Sequence, residues 1–136
     1  YKFNRLTSVI IPDSVTTIGS SAFDDNRLIR VTIPSSVTSI GEKAFNNNRL
    51  KNLTFASPSS LTTIGAGAFA GNKLTKVEIP FSVTTIGDRA FYLNRTSGPW
   101  PFEVVIPNPT RTRIGHNVVD KRARLIPWYT QTEMWA

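Results

Sequence analysis

The sequence contains no cysteine and a single histidine, His116. Disulfides, thiolate metal sites and thiol nucleophiles are therefore excluded. So is any metal motif built on two histidines. No apolar run reaches the roughly 18 residues that a membrane-spanning helix needs. The nine carboxylates are scattered along the chain. Asp24-Asp25 is expected to be a solvated pair on a turn. The glycines are dispersed rather than clustered, so no phosphate-cradling loop is present. A set of Ser21, His116 and Asp120 can be assembled on paper, but no spacing supports it. These residues assign no catalytic group, no metal and no cofactor.

What the chain does have is repetition. Phenylalanine recurs as Phe23, Phe45, Phe69 and Phe91, at steps of 22, 24 and 22 residues. The same frame carries Ile18, Ile40, Ile64 and Ile86, each followed by glycine, and also Asn26, Asn48, Asn72 and Asn94. A fixed period in the twenties marks a solenoid of stacked coils. One copy holds about seven apolar residues, such as Leu28, Val31, Ile33, Val37, Ile40, Ala44 and Phe45. A lone coil leaves both faces of that set in water and cannot offset the entropy of ordering its backbone. Stacking covers both faces.

The frame divides the chain. Residues 1–5 read as the tail of a preceding copy, so the chain is expected to be a piece of a longer array. Residues 6–95 hold four copies, the third lengthened by two residues near Ala56-Ser57-Pro58. Residues 96–136 read as a degenerate fifth copy and a cap. The tryptophans Trp100, Trp128 and Trp135 all fall there. They are expected to form a lid over the open end, with an exposed docking surface as the alternative.

Local structure follows from residue type. Val31-Thr32-Ile33 alternates as a strand does, and Pro34 ends it. Val37 to Ile40 reads as a second short β segment. Gly41 is expected in a backbone shape closed to other residues, and Glu42 to Phe45 in one helical turn. The phenylalanines are expected to stack in a spine. The asparagines are expected to hydrogen-bond turn backbone between coils.

The pattern L-x-x-V-x-I-P-x-S-V-T-x-I-G-x-x-A-F-x-x-N resembles the BspA-like, treponemal-type leucine-rich repeat. Leu28, Val31 and Ile33 match the general core of such repeats, with Ser14, Ser36, Ser60 and Ser82 where the class often has asparagine or cysteine. The resemblance is strong over residues 1–95 and faint over 104–119. It implies a right-handed superhelix, mainly β, with a parallel sheet on the concave face and short helical turns. It also implies a cell-surface or secreted protein acting in adhesion. It carries no catalytic residue.

Binding is therefore sought on the surface. The outward positions of the main strand vary between copies: Ser8 and Ile10, Arg30 and Thr32, Asn52 and Thr54, Lys76 and Glu78, continued by Glu103 and Val105. This face is the expected binding site for a host or neighbouring-cell protein. A second set is constant: Arg5, Arg27, Arg49, Lys73 and Arg95 form a basic rim. Stacked about 5 Å apart, adjacent charges repel by about 0.8 kcal/mol in water, and a polyanion would relieve this. The net charge of +7 points the same way. The alternative function is thus binding of a polyanion (sulfated glycan, lipopolysaccharide or nucleic acid), or a structural envelope role, through that rim. An anionic glycan ranks above nucleic acid. Against both stands simple duplication, with arginine stems covering apolar edges. Thr16-Thr17, Thr38-Ser39, Thr62-Thr63 and Thr84-Thr85 form a hydroxyl column; ice binding is the formal reading and cross-strand pairing the plainer one. End-to-end stacking offers a route to oligomers.

Overall fold

The computed structural model describes residues 4–94, 101–119 and 123–127. Tyr1, residues 95–100, Asp120, Trp128 and Trp135 lie outside the described residues, and with them the expected tryptophan lid.

The chain winds into parallel-strand coils, each contributing a short strand on one side and, in most coils, a longer one on another. The short strands are β1 (Thr17–Ile18), β3 (Ser39–Ile40), β5 (Thr63–Ile64), β7 (Thr85–Ile86) and β9 (Arg113–Ile114). They form one parallel sheet in the order β1-β3-β5-β7-β9. Its register sets Ile18, Ile40, Ile64, Ile86 and Ile114 in one file. The longer strands are β2 (Arg30–Ile33), β4 (Asn52–Phe55), β6 (Lys76–Glu78), β8 (Glu103–Ile106) and β10 (Arg124–Pro127). Here the file is broken. β2 pairs with β4 in one sheet, and β6, β8 and β10 form another. The break falls at the copy that carries the two extra residues.

Between the sheets runs the core. Leu28, Val31, Ile33, Val37, Ile40, Ala44 and Phe45 are all buried, as are their counterparts in the next two coils, except the half-buried Phe55. The phenylalanines do stack: ring centroids are 5.2 Å apart for Phe23–Phe45, 5.2 Å for Phe45–Phe69 and 5.4 Å for Phe69–Phe91. Phe102 then extends the file, its ring tilted by 46° to Phe91.

The asparagines bond as expected. Asn72 Nδ2 donates to the Phe45 carbonyl of the preceding coil at 3.0 Å and to the Phe69 carbonyl of its own at 3.0 Å. Its Oδ1 accepts from the Leu50 N–H at 3.0 Å. Asn48 and Asn94 repeat this pattern. Each amide thus staples two coils while itself buried.

Two local expectations are corrected. No helix occurs among the described residues. Along 41–47 the N–H donors alternate: Ala44 and Asn46 donate within the coil to Gly41 and Lys43, whereas Lys43, Phe45 and Asn47 donate to Ala66, Ala68 and Ala70 of the next coil. Three of these five donors are thus spent between coils. Lys43, at φ 56°, adopts the left-handed shape that breaks a right-handed turn. The repeated glycine also has a different reason. Gly41, Gly65, Gly87 and Gly115 are not at positive φ; Gly67 and Gly71 are. A Cβ on Gly65 would come within 2.6 Å of the Glu42 nitrogen, and one on Gly87 within 2.5 Å of the Ala66 nitrogen. Glycine is needed there because backbones of adjacent coils touch.

Two predictions follow from these contacts. A Cβ on Gly19 meets nothing within 4 Å, so Gly19→Ala is expected to be neutral or to stabilise by up to about 1 kcal/mol. Gly65→Ala is expected to cost about 2 kcal/mol or more. Equal urea midpoints for the two would overturn the close-approach account. Asn72→Ala removes the staple and orphans buried backbone groups; a loss of about 3 kcal/mol in urea denaturation is expected.

Candidate functional sites on the coil faces

The main-strand face follows from strand alternation. In β2, Val31 and Ile33 are buried while Arg30 and Thr32 point out, and β4 puts Asn52 and Thr54 beside them in register. On the second sheet Lys76 and Glu78 are exposed, with Lys76 Nζ 3.7 Å from Glu78 Oε1. Exposed pairs of this kind contribute little to stability. The row is not continuous, because the sheet is interrupted between β4 and β6. Ser8 and Ile10 are exposed but lie in no strand, and Ile10 is 92% accessible. Glu103 is half-buried. Val105, expected to face outward, is instead buried, in register with Glu78 and Ile126. The structure therefore brings together Arg30, Thr32, Asn52 and Thr54 as one patch and sets Lys76 and Glu78 on another.

At the break lies a cleft of about 480 Å³, lined in part by Phe55, Pro58, Glu78, Pro80 and Phe81. Phe81 is 68% exposed. Sequence reasoning passed over it, although the signal was present. Its frame position holds Asp13, Ser35 and Ser59 in the other copies, so an aromatic there stands apart from the repeat.

The rim is placed by backbone bonds one coil apart. The N–H groups of Arg27, Arg49 and Lys73 donate to the carbonyls of Leu6, Leu28 and Leu50 at 2.7, 2.9 and 2.9 Å. Arg5, Arg27, Arg49 and Lys73 are all exposed. Arg5, Arg27 and Arg49 line one open groove of about 410 Å³, together with Asp25, Asn47 and the edges of Asn26 and Asn48. Among the described residues none of these cations forms an ion pair. Asp24 is not the solvated partner of Asp25: it is buried, and its Oδ1 accepts from Asn46 Nδ2 at 3.1 Å.

The hydroxyl column is engaged with backbone rather than with itself. Thr38, Thr62 and Thr84 Oγ1 donate to the carbonyls of Thr16, Thr38 and Thr62, at 3.1, 3.1 and 3.2 Å. Their protons are therefore committed one coil back. Nor do Ser21 and His116 meet. Rungs running Ser21–Glu42, Lys43–Ala66, Gly67–Asp88 and Arg89–His116 separate them, which is roughly 19 Å at the usual strand spacing. Among the described residues no group of three potential metal ligands occurs, and no helix is long and apolar enough to cross a membrane.

A family model described as "BspA type Leucine rich repeat region" matches residues 1–97 in six copies. No curated protein and no solved structure matches significantly.

Because the Thr62 hydroxyl bonds an exposed backbone carbonyl one coil back, Thr62→Val is expected to lower stability by about 1 kcal/mol or less. Neither the parent protein nor the variant is expected to show thermal hysteresis in ice-growth measurements.

Proposed function

The chain belongs to the BspA-type leucine-rich repeat family, and on that premise we propose that it is a non-catalytic protein-interaction and adhesion module of a cell-surface or secreted protein. The observation that carries this reading is the contrast between core and face. The buried frame barely changes from coil to coil, whereas the exposed main-strand positions change in charge and size: Arg30 and Thr32, then Asn52 and Thr54, then Lys76 and Glu78. Variation confined to exposed strand positions alters recognition without touching the packing that holds the stack.

In this reading the coil is right-handed and the main-strand face is its concave side, as the family's architecture implies. The partner is a host or neighbouring-cell protein. Arg30 and Asn52, adjacent in register, supply a donor-rich centre, and the Phe81 cleft lies beside the second patch.

The test is surface plasmon resonance of the purified chain against a panel of purified extracellular-matrix and plasma proteins. For a partner bound through the strand face, Arg30→Ala combined with Asn52→Ala should weaken binding by tenfold or more, about 1.4 kcal/mol. Arg27→Ala and Arg49→Ala, off that face, should leave it within about twofold. The opposite pattern would refute the strand face as the site.

A further inference from the structure

The rim has features that protein binding through the strand face does not use. We propose that Arg5, Arg27, Arg49 and Lys73 form a track for a linear anionic glycan, with one cation per coil meeting about one sugar residue. This stands apart from the strand-face reading, since it uses other residues on another side of the coil.

Regular spacing is the first support. The same backbone bond, rim N–H to leucine carbonyl, places Arg27, Arg49 and Lys73 in turn. The backbones that carry the cations therefore repeat at the strand spacing of about 4.8 Å. An extended glycan chain advances by nearly this distance per sugar, so sulfate or carboxylate groups can be met in succession. A planar membrane surface would need cations spread over an area, and here they lie in a line.

The second support is that the charges are uncompensated. Lys76–Glu78 is the only ion pair among the described residues, and it lies on another face. The position just outside the rim runs Asp25, Asn47, Gly71 and Leu93. One carboxylate thus sits at the first end of the groove, and none follows it towards Lys73. That carboxylate stands in the coil of Arg27, so ligand anions would favour the Arg49–Lys73 part of the file.

The groove wall discriminates between polyanions. Among the described residues its lining is Arg, Asp, Asn and Gly, with no aromatic residue. Single-stranded nucleic acid is held by bases stacked on aromatic side chains as well as by backbone charge, and the described lining offers no such platform. The groove's exposed Asn47 amide and its guanidinium forks instead suit hydroxyl, carboxylate and sulfate groups.

The experiment is fluorescence anisotropy with a labelled heparin-derived hexasaccharide as probe, in low salt and in physiological salt. Glutamine substitutions keep an aliphatic stem over the apolar edge while removing the charge. Arg27→Gln and Arg49→Gln are each expected to weaken binding about tenfold, as loss of one charge-assisted contact does. Binding should also fall steeply between the two salt conditions. The control for the Arg27→Gln, Arg49→Gln double variant is Arg111→Gln with Arg113→Gln, which removes the same two charges from exposed sites, Arg113 lying on the short-strand side. It is expected to bind within about twofold of the parent. Melting curves establish that each variant is folded, and the single variants decide the matter if the double variant melts early. Equal loss in the rim and control pairs would reduce the effect to net charge and overturn the track. So would absence of binding in low salt. Tighter rim-dependent binding of a thymidine oligonucleotide of equal charge would overturn the glycan assignment in favour of nucleic acid.

Discussion

Everything in this structure depends on backbone hydrogen bonds that run from coil to coil. On the short-strand side Gly41, Gly65, Gly87 and Gly115 donate to Ile18, Ile40, Ile64 and Ile86, each at 2.8 Å. On the turn segment that follows, the direction reverses, and Phe23, Phe45, Phe69 and Phe91 donate to Ala44, Ala68, Ala90 and Val118 of the next coil. A coil bonded to both of its neighbours cannot slip by one residue without turning its inward side chains outward. Register is thereby set, and register places like residues upon like. The phenylalanine spine, the isoleucine file and the asparagine staples are consequences of that constraint.

It also explains which parts of the fold were legible in the residues. Any position repeated at the period stacks on its own copy, so Phe45 over Phe23 and Asn48 bridging two coils could be read from spacing and chemistry. What could not be read depends on the separation between coils. Glycine at Gly65 reads like a residue at positive φ, and only the approach of the Glu42 nitrogen shows that space is the reason. Glu42 to Phe45 reads as helix by composition, but its donors are drawn across to Ala66 and Ala68. Propensity is a weak prior where tertiary bonding competes for the same groups. Val105 was misread because alternation along a strand says which side a residue faces, not what covers that side. Phe81 was overlooked for a simpler reason: attention to the repeated frame hides the one copy that departs from it.

The stack separates stability from recognition. Inward residues are confined to small changes, since each touches its counterpart in two neighbours and a misfit would be felt in both. Outward residues on the main strands touch solvent and can change freely, as Arg30, Asn52 and Lys76 do. The interruption between β4 and β6 extends the same logic to the backbone. Two extra residues in one copy end the long-strand ladder there, yet the short-strand sheet runs on through β5 and β7 without a break. One side of the coil holds the register while the other gives way, and the opening places Phe81 beside a cleft.

A file of like charges is the case in which this arrangement works against itself. Stacking that places phenylalanine on phenylalanine also places arginine on arginine. The repulsion, about 0.8 kcal/mol per adjacent pair in water before screening, is small beside what burial of even one leucine contributes, roughly 1.5–3 kcal/mol. The fold therefore tolerates the rim without any ligand, and persistence of the charge alone says nothing about use. The neighbouring position is more informative. A carboxylate beside each arginine would cancel the repulsion at no cost to packing, since the site is at the surface. Asp25 does this in one copy, and Asn47, Gly71 and Leu93 do not. The easy compensation is available and mostly absent, which leaves a row of cations that no neighbouring carboxylate offsets after Asp25.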